Sequence, residues 1–281
     1  MNKFLVLLVS LVSVWVSEVS ATNSTVNFAA LQGLGNPDYH QVKSLDGKRS
    51  YHVFVRYVKT DSKTDDSSKK YPTVYMLDGG VTYPLLSGLY HYMRYTDEIP
   101  KMNLVAISYG ADSFKHGNYR ASDYTVKSAE RDYWGGAGEF VKLFKQSIIP
   151  MVENNYPADA DKRILFGQSL GGQFAIYTSM HHQSLFHGYI ASNPALHRNL
   201  DFFMQPVKAV NNKAKSKLYV GVGSNDHPTY KVPATKWLKH IQSQKQSELL
   251  WQFKTETLPA QTHVSAAPEA FRRGVNWILS D

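Results

Sequence analysis

Six short runs rich in β-branched and aromatic residues recur along this 281-residue chain: Thr73–Leu77, Asn103–Ser108, Arg163–Phe166, Gly188–Ala191, Lys217–Gly221 and Leu249–Thr255. Segments of helical length separate them. Ala137–Asn154 carries Phe140, Val141, Phe144, Ile148 and Ile149 on one side, and Leu170–His181, Tyr230–Gln244 and Ser265–Leu279 are further candidates. Neighbouring parallel strands need a crossover of about a dozen residues or more, which a helix supplies. The alternation therefore predicts an α/β fold with a mostly parallel central sheet and helices on both faces. Ahead of it, Gln41–Leu45 and Ser50–Val58 alternate around Asp46-Gly47, the pattern of an antiparallel hairpin. The polar run TDSKTDDSSKK, residues 60–70, reads as an exposed loop. No internal repeat is present. In open sheets of this class ligands bind beyond the carboxyl ends of the strands, so the residues just after each run carry the functional interest.

Composition narrows the chemistry. With 43% hydrophobic residues the chain has ample material for a core, and residues 22–281 read as a single domain. The absence of cysteine excludes a disulfide scaffold, a thiolate zinc site, an iron–sulfur centre and a cysteine nucleophile. Lys3, an apolar run from Phe4 to Val16 broken by Ser10 and Ser13, and the small residues of Val19-Ser20-Ala21 fit a signal peptide over residues 1–21. That run is well short of the roughly 20 residues that span a bilayer. The expected product is periplasmic or secreted, begins at Thr22, and is not stably inserted in a membrane. Net charge is +8, with 31 basic and 23 acidic residues, but the basic residues are dispersed. Lys69-Lys70, Lys213/Lys215/Lys217 and Arg272-Arg273 are the densest groups, without zinc-finger or RNP-type spacing, so nucleic acid is not an expected partner.

Gly167-Gln168-Ser169-Leu170-Gly171-Gly172 lies directly after the run Arg163–Phe166 and directly before a helical segment. A G-x-S-x-G between strand and helix is the context in which a sharp turn exposes a nucleophilic serine. Gly167 and Gly171 keep the flanking positions free of bulk, and Gly172 lets the helix pack close to the sheet. The helix N-terminus adds a positive field where an oxyanion would develop. A serine hydroxyl needs a base. Of the 11 histidines, His181 and His182 fall within or at the end of the expected helix after the serine, His240 lies mid-helix and His52 in the hairpin. His263 follows the last strand, 94 positions after the serine, where the chain order Ser…acid…His places the base; His227 is a weaker candidate. Asp226, at the end of the penultimate strand, is the preferred acid, with Asp201 and Glu256 as rivals. The amide of Leu170 and one from the turn Asp78-Gly79-Gly80-Val81, Gly80 or a neighbour, are the expected oxyanion donors.

These residues sit within a wider resemblance. Y-M-L-D-G-G (75–80), Y-R-A-S-D-Y-T (119–125), W-G-G-A-G-E-F (134–140), I-I-P-M-V-E-N-N-Y (148–156), R-I-L-F-G-Q-S-L-G-G (163–172) and T-H-V-S (262–265) occur in matching order. Over residues 40–280 the chain resembles the putative-esterase, or esterase D-like, branch of the α/β-hydrolases. That branch includes enterochelin-type siderophore esterases, feruloyl and acetylxylan esterases, S-formylglutathione hydrolases and mycolyltransferases. The resemblance implies an α/β-hydrolase fold, Ser169 as nucleophile, His263 as base and Asp226 as acid. Arg120 and Asp123 resemble the branch's R-x-x-D loop and are expected to form a structural ion pair. The branch often shows S-P-S-L and an aromatic pair after the strand at 188–191. Here Asn193-Pro194-Ala195-Leu196-His197-Arg198 stands instead.

The irregular stretch from Tyr109 to Gly136 is read as a cap over the site, and Tyr109, Trp134 and Arg198 are candidate substrate contacts. No metal is expected, because H-E-x-x-H is absent and the His181-His182 pair lacks a third ligand. No cofactor is expected, and Gly33-Leu34-Gly35 has no strand before it to make a phosphate loop. The expected activity is hydrolysis of a small carboxylic ester, of a siderophore or another kind. Acyl transfer by the same residues, a feruloyl or acetyl esterase, and a silent binding protein are the alternatives. The sequence leaves the oligomeric state open.

Overall fold

Along β2 (Ser50–Arg56) buried and half-buried residues alternate, so Tyr51, Val53 and Val55 enter the core. The strand pairs antiparallel with β1 (Asp38–Lys43) from Asp38↔Val55 to Lys43↔Ser50, the expected hairpin. Its turn is closed by side chains: Ser44 Oγ donates to Asp46 Oδ1 at 2.6 Å, and the Arg49 amide donates to Ser44 Oγ at 2.9 Å. Gly47 supplies a φ of +73°. The computed structural model describes residues 30–59, 68–129, 131–206, 215–245 and 249–280. The expected leader, residues 1–21, and residues 60–67 of the polar loop lie outside the described residues.

The remaining strands are β3 (Tyr71–Met76), β4 (Asn103–Ser108), β5 (Ala158–Gln168), β6 (Gly188–Ser192), β7 (Lys217–Gly223) and β8 (Gln252–Leu258). They join the hairpin in one sheet of order β1-β2-β4-β3-β5-β6-β7-β8. β2 meets β4 antiparallel, and every pairing from β4 through β8 is parallel. Central strands such as β4 and β6 are buried at every residue, as a sheet covered on both faces requires.

Each face has its own apolar layer. On one side α3 (Ala137–Leu143), α4 (Ile149–Asn155), α5 (Leu170–His181) and α7 (Pro228–Gln242) bury Phe140, Val152, Phe174 and Trp237. On the other, α1 (Gly79–Met93) and α8 (Ala266–Leu279) bury Tyr83, Leu86, Phe271 and Val275. Two four-residue helices, α2 (Arg120–Asp123) and α6 (Leu200–Phe203), sit in the connections. Among the described residues no helix is long and apolar enough to cross a membrane.

Four elements differ from the sequence reading. Helix α1 was expected only as a turn: Gly79, Gly80, Pro84 and Gly88 depress its propensity. Burial of Tyr83, Leu86, Tyr90 and Met93 overrides that preference. The expected helix 137–154 is interrupted by a π-helical turn, Phe144–Ile148, between α3 and α4. The Ile149 amide donates to Phe144 O, five residues back, and Pro150, in the first turn of α4, has no N–H to restore an i→i−4 bond at that point. β5 begins five residues earlier than its apolar run indicates, because Asp159, Asp161 and Lys162 are polar and Ala160 is small and exposed, so the first part of the strand carries no hydrophobic signal. β8 runs to Leu258; the buried Leu249 and Trp251 that advertise its start precede the paired stretch.

Candidate active site

The carboxyl ends of β5, β6, β7 and β8 converge on Ser169. Its backbone sits at φ +60°, ψ −115°, a region costing roughly 1–3 kcal/mol for a residue with a side chain. The surroundings hold it there: the Ser169 amide donates to Ser192 O at 2.9 Å, and the Ala195 amide donates to Ser169 O at 3.0 Å. The glycines around it are not equivalent. A Cβ on Gly167 would lie 2.0 Å from Gly171 O, and one on Gly172 would lie 2.9 Å from Ser192 O. At Gly171 the nearest atoms would be the Leu77 side chain at 3.5 Å and Asp78 Oδ2 at 3.6 Å, ordinary contact distances. The turn therefore requires Gly167 and Gly172, while Gly171, expected to be necessary, has room.

His263 lies between β8 and α8, with Nε2 2.8 Å from Ser169 Oγ. Its Nδ1 faces both oxygens of Asp226, at 3.0 and 3.1 Å. An ionised carboxylate only accepts, so Nδ1 carries the proton and Nε2 is left free to accept from the serine hydroxyl. The Asp226 side chain is 1% exposed and that of His263 is 20% exposed. The carboxylate is thus withdrawn from water while the imidazole edge meets it. The His227 amide also donates to Asp226 Oδ1, at 2.6 Å. Tyr230, on the first turn of α7, stacks on the His263 ring with centroids 4.0 Å apart.

The other candidates are occupied elsewhere. His227 caps α7, its Nδ1 accepting from the Thr229 amide at 3.2 Å. Asp201 lies exposed on α6. Glu256 lies within β8, ion-paired with Lys254 and Arg273 at 2.8 Å each. Burial pushes the Glu256 carboxyl up, but the hydrogen bonds from those two cations outweigh it and hold it below the ordinary range.

Leu170 is the first residue of α5, and Gly79 and Gly80 are the first two of α1, so these amides precede the point where a helix supplies its own acceptors. The stretch expected as a turn at 78–81 is thus a helix N-terminus. A Cβ at Gly79 would lie 2.8 Å from Ile107 N, so a glycine is needed where α1 starts against β4. The two helix starts are neighbours because β3 and β5 pair in register, and the Leu77 amide donates to Phe166 O at 3.1 Å. Gly80, Thr82, Ser108, Tyr109, Arg120 and Gln168 contribute to a cavity of about 270 Å³ beside them.

Arg120 and Asp123 do not pair with each other. They are three apart on a helix of one turn, and each is drawn to a different partner. Arg120 binds Asp78 through Nε at 2.7 Å and Nη2 at 3.0 Å, bracing the start of α1. Asp123 accepts from Arg49 Nη1 at 2.7 Å, Tyr51 OH at 2.9 Å and Tyr109 OH at 3.2 Å. Burial pushes the Asp123 carboxyl up, against those hydrogen bonds and the Arg49 charge. Tyr109 is therefore a buried donor that also lines the cavity. The stretch 109–136 is largely irregular, and its Ala111, Asn118 and Arg120 line the same cavity. Trp134 is buried, with Arg198 Cζ 5.9 Å from its ring centroid. Among the described residues no group of three or more His, Asp or Glu is placed to hold a metal ion.

Two side-chain contacts went unread in the sequence. Gln168 Nε2 donates to His263 O, and Asn193 Nδ2 donates to the same carbonyl at 3.0 Å. Both residues stand at carboxyl ends of strands, the signal that could have singled them out.

The model of the "Putative esterase" family matches residues 47–273. The chain belongs to that family. A 184-residue stretch is 26% identical to the ferri-bacillibactin esterase BesA of Bacillus subtilis, covering 60% of this chain and 61% of the relative. A 177-residue stretch is 30% identical to the apo-salmochelin esterase of Escherichia coli O6:H1, covering 59% of this chain and 54% of the relative. The matches thus span less than two thirds of those relatives' length. Among solved structures, the BES protein from Bacillus cereus superposes with a TM-score of 0.71 at 22% identity, over 88% of this chain and 95% of that one. The fold is that of the α/β-hydrolases.

Proposed function

We propose that this family member is an exported serine carboxylic-ester hydrolase that cleaves a siderophore ester. The observation that carries the reading is the placement of the His263 imidazole between Ser169 Oγ and the buried Asp226 carboxylate. Ser169 Oγ attacks the ester carbonyl carbon while His263 Nε2 takes its proton. Asp226 keeps the imidazole in the required tautomer and stabilises the imidazolium. The oxyanion is met by the amides of Leu170 and Gly80 at the starts of α5 and α1, where both helix dipoles favour negative charge. Collapse of the tetrahedral species breaks the bond to the alcohol, which leaves with the proton from His263. A water deprotonated by His263 then attacks the acyl-enzyme, and Ser169 regains its proton as the acid departs.

The siderophore assignment is supported by the similarity to a ferri-bacillibactin esterase and an apo-salmochelin esterase and by the net charge of +8, which favours encounter with an anionic chelate. Tyr109 contributes a wall of the cavity beside the oxyanion amides. Arg198, over the Trp134 ring, supplies a cation on the connection after β6 that also bonds Ser169 O through Ala195. Export is supported by the leader pattern of residues 1–21. The test is a panel of acetyl, butyryl, feruloyl and catecholate trilactone esters offered to the mature protein. The trilactone, apo or ferric, is expected to be cleaved with the highest kcat/KM and with a rate that falls as salt rises. Equal turnover of p-nitrophenyl acetate without salt dependence would remove the siderophore assignment and leave a general esterase.

A further inference from the structure

The departure from the family pattern after β6 places an asparagine at a junction of the site. Asn193 is 1% exposed and has φ +40°, a left-handed conformation that asparagine tolerates better than other residues with side chains. Both ends of its carboxamide are engaged. Nδ2 donates to Thr262 O at 2.9 Å and to His263 O at 3.0 Å, and Oδ1 accepts from the Gly223 amide at 2.7 Å. Gly223 O in turn accepts from the Asp226 amide at 3.1 Å, closing the turn that presents the carboxylate. The backbone on either side clasps the nucleophile, through Ser192 O to Ser169 N and Ala195 N to Ser169 O. One four-residue segment, 192–195, therefore reaches Ser169 with its backbone and the loops of His263 and Asp226 with one side chain.

From this junction we infer that Asn193 is the positioning residue that fixes the His263 and Asp226 loops relative to Ser169. The inference rests on the proposed Ser169–His263–Asp226 chemistry. Asn193 touches no reacting atom; it acts on the carbonyl of His263 and on the turn before Asp226. Displacing a catalytic group by about 1 Å can cost on the order of 100-fold in rate, whereas initial binding of a small ester needs neither loop. The signature of this role is thus a fall in kcat at nearly constant KM.

Two substitutions separate the side-chain bonds from the backbone conformation. Asn193→Gly keeps φ +40° without strain and removes all three bonds. Asn193→Asp is nearly isosteric and can keep the bond from the Gly223 amide, but it turns an acceptor toward two carbonyl oxygens. With p-nitrophenyl acetate, and with kcat normalised to folded protein, both variants are expected to lose roughly 10- to 100-fold in kcat with KM within about twofold. Reaction of Ser169 with a fluorophosphonate should slow in parallel. Retention of kcat within about twofold by either folded variant overturns the positioning role. A parallel control keeps the two readings apart: a wild type that the fluorophosphonate does not label, with turnover surviving in Ser169→Ala, would overturn the serine chemistry itself.

Discussion

The turn that carries Ser169 is built from backbone. Its strained φ is held by main-chain bonds to Ser192 and Ala195, and its neighbours are glycines because Gly171 O and Ser192 O occupy the space of a Cβ. The loop that carries His263 is built from side chains sent by other strands. Gln168 at the end of β5 and Asn193 at the end of β6 both donate to the His263 carbonyl, and Tyr230 from α7 stacks on its ring. Backbone bonds and close backbone contacts thus fix the proposed nucleophile, while side-chain amides fix its proposed base. The Ser169 turn should therefore fail all at once when crowded, and the histidine loop should lose precision by degrees.

Crowding the turn gives the largest expected effect. In Gly167→Ala the new Cβ would need the space 2.0 Å from Gly171 O, which only a backbone shift of β5 or α5 can free. Thermal unfolding should show a loss of about 4 kcal/mol or more, or no folded protein, and a variant as stable as the wild type would break the backbone half of the comparison. The next effect lies on the histidine side. Asp226→Asn leaves the loop bonds of Asn193 and Gln168 in place but offers an amide where the Nδ1–H needs an acceptor. Steady-state kinetics should show kcat lower by about 10⁴-fold with a melting temperature close to that of the wild type. A loss under about tenfold would mean that the carboxylate does not orient the imidazole. The smallest effect returns to the turn: Gly171→Ala meets only ordinary contacts, so the gain in helix propensity should leave stability unchanged or raised by up to about 1 kcal/mol, with activity retained. A collapse comparable to that of Gly167→Ala would show that the two glycines are equivalent after all.

This division also governs what could be read from the sequence. The turn at Ser169 is legible because the crowding of Gly167 by Gly171 O acts within five residues and, with the demand of Ser192 O on Gly172, leaves a glycine pattern in one short stretch. His263 and Asp226 follow from chain order at strand ends, once the alternation of strands and helices is recognised. Asn193 and Gln168 are not legible in the same way, since their partners lie 70 and 95 positions away in the chain. The parallel order of the sheet, which no local pattern encodes, brings them together. Helix α1 is hidden by its own glycines and proline, because the burial that stabilises it is tertiary. The exchange of partners by Arg120 and Asp123 has the same origin: Asp78 and Arg49 reach them from the start of α1 and the hairpin, and neither contact has a signature in the R-x-x-D spacing.

The most direct test of the account is the intact mass of the protein after brief exposure to a fluorophosphonate. A single adduct on Ser169 is expected in the wild type, none in Ser169→Ala, and labelling slowed by about 100-fold or more in His263→Ala, as loss of a positioned general base requires. No adduct on Ser169 in the wild type, or an equal labelling rate in His263→Ala, would contradict an activated serine at this turn.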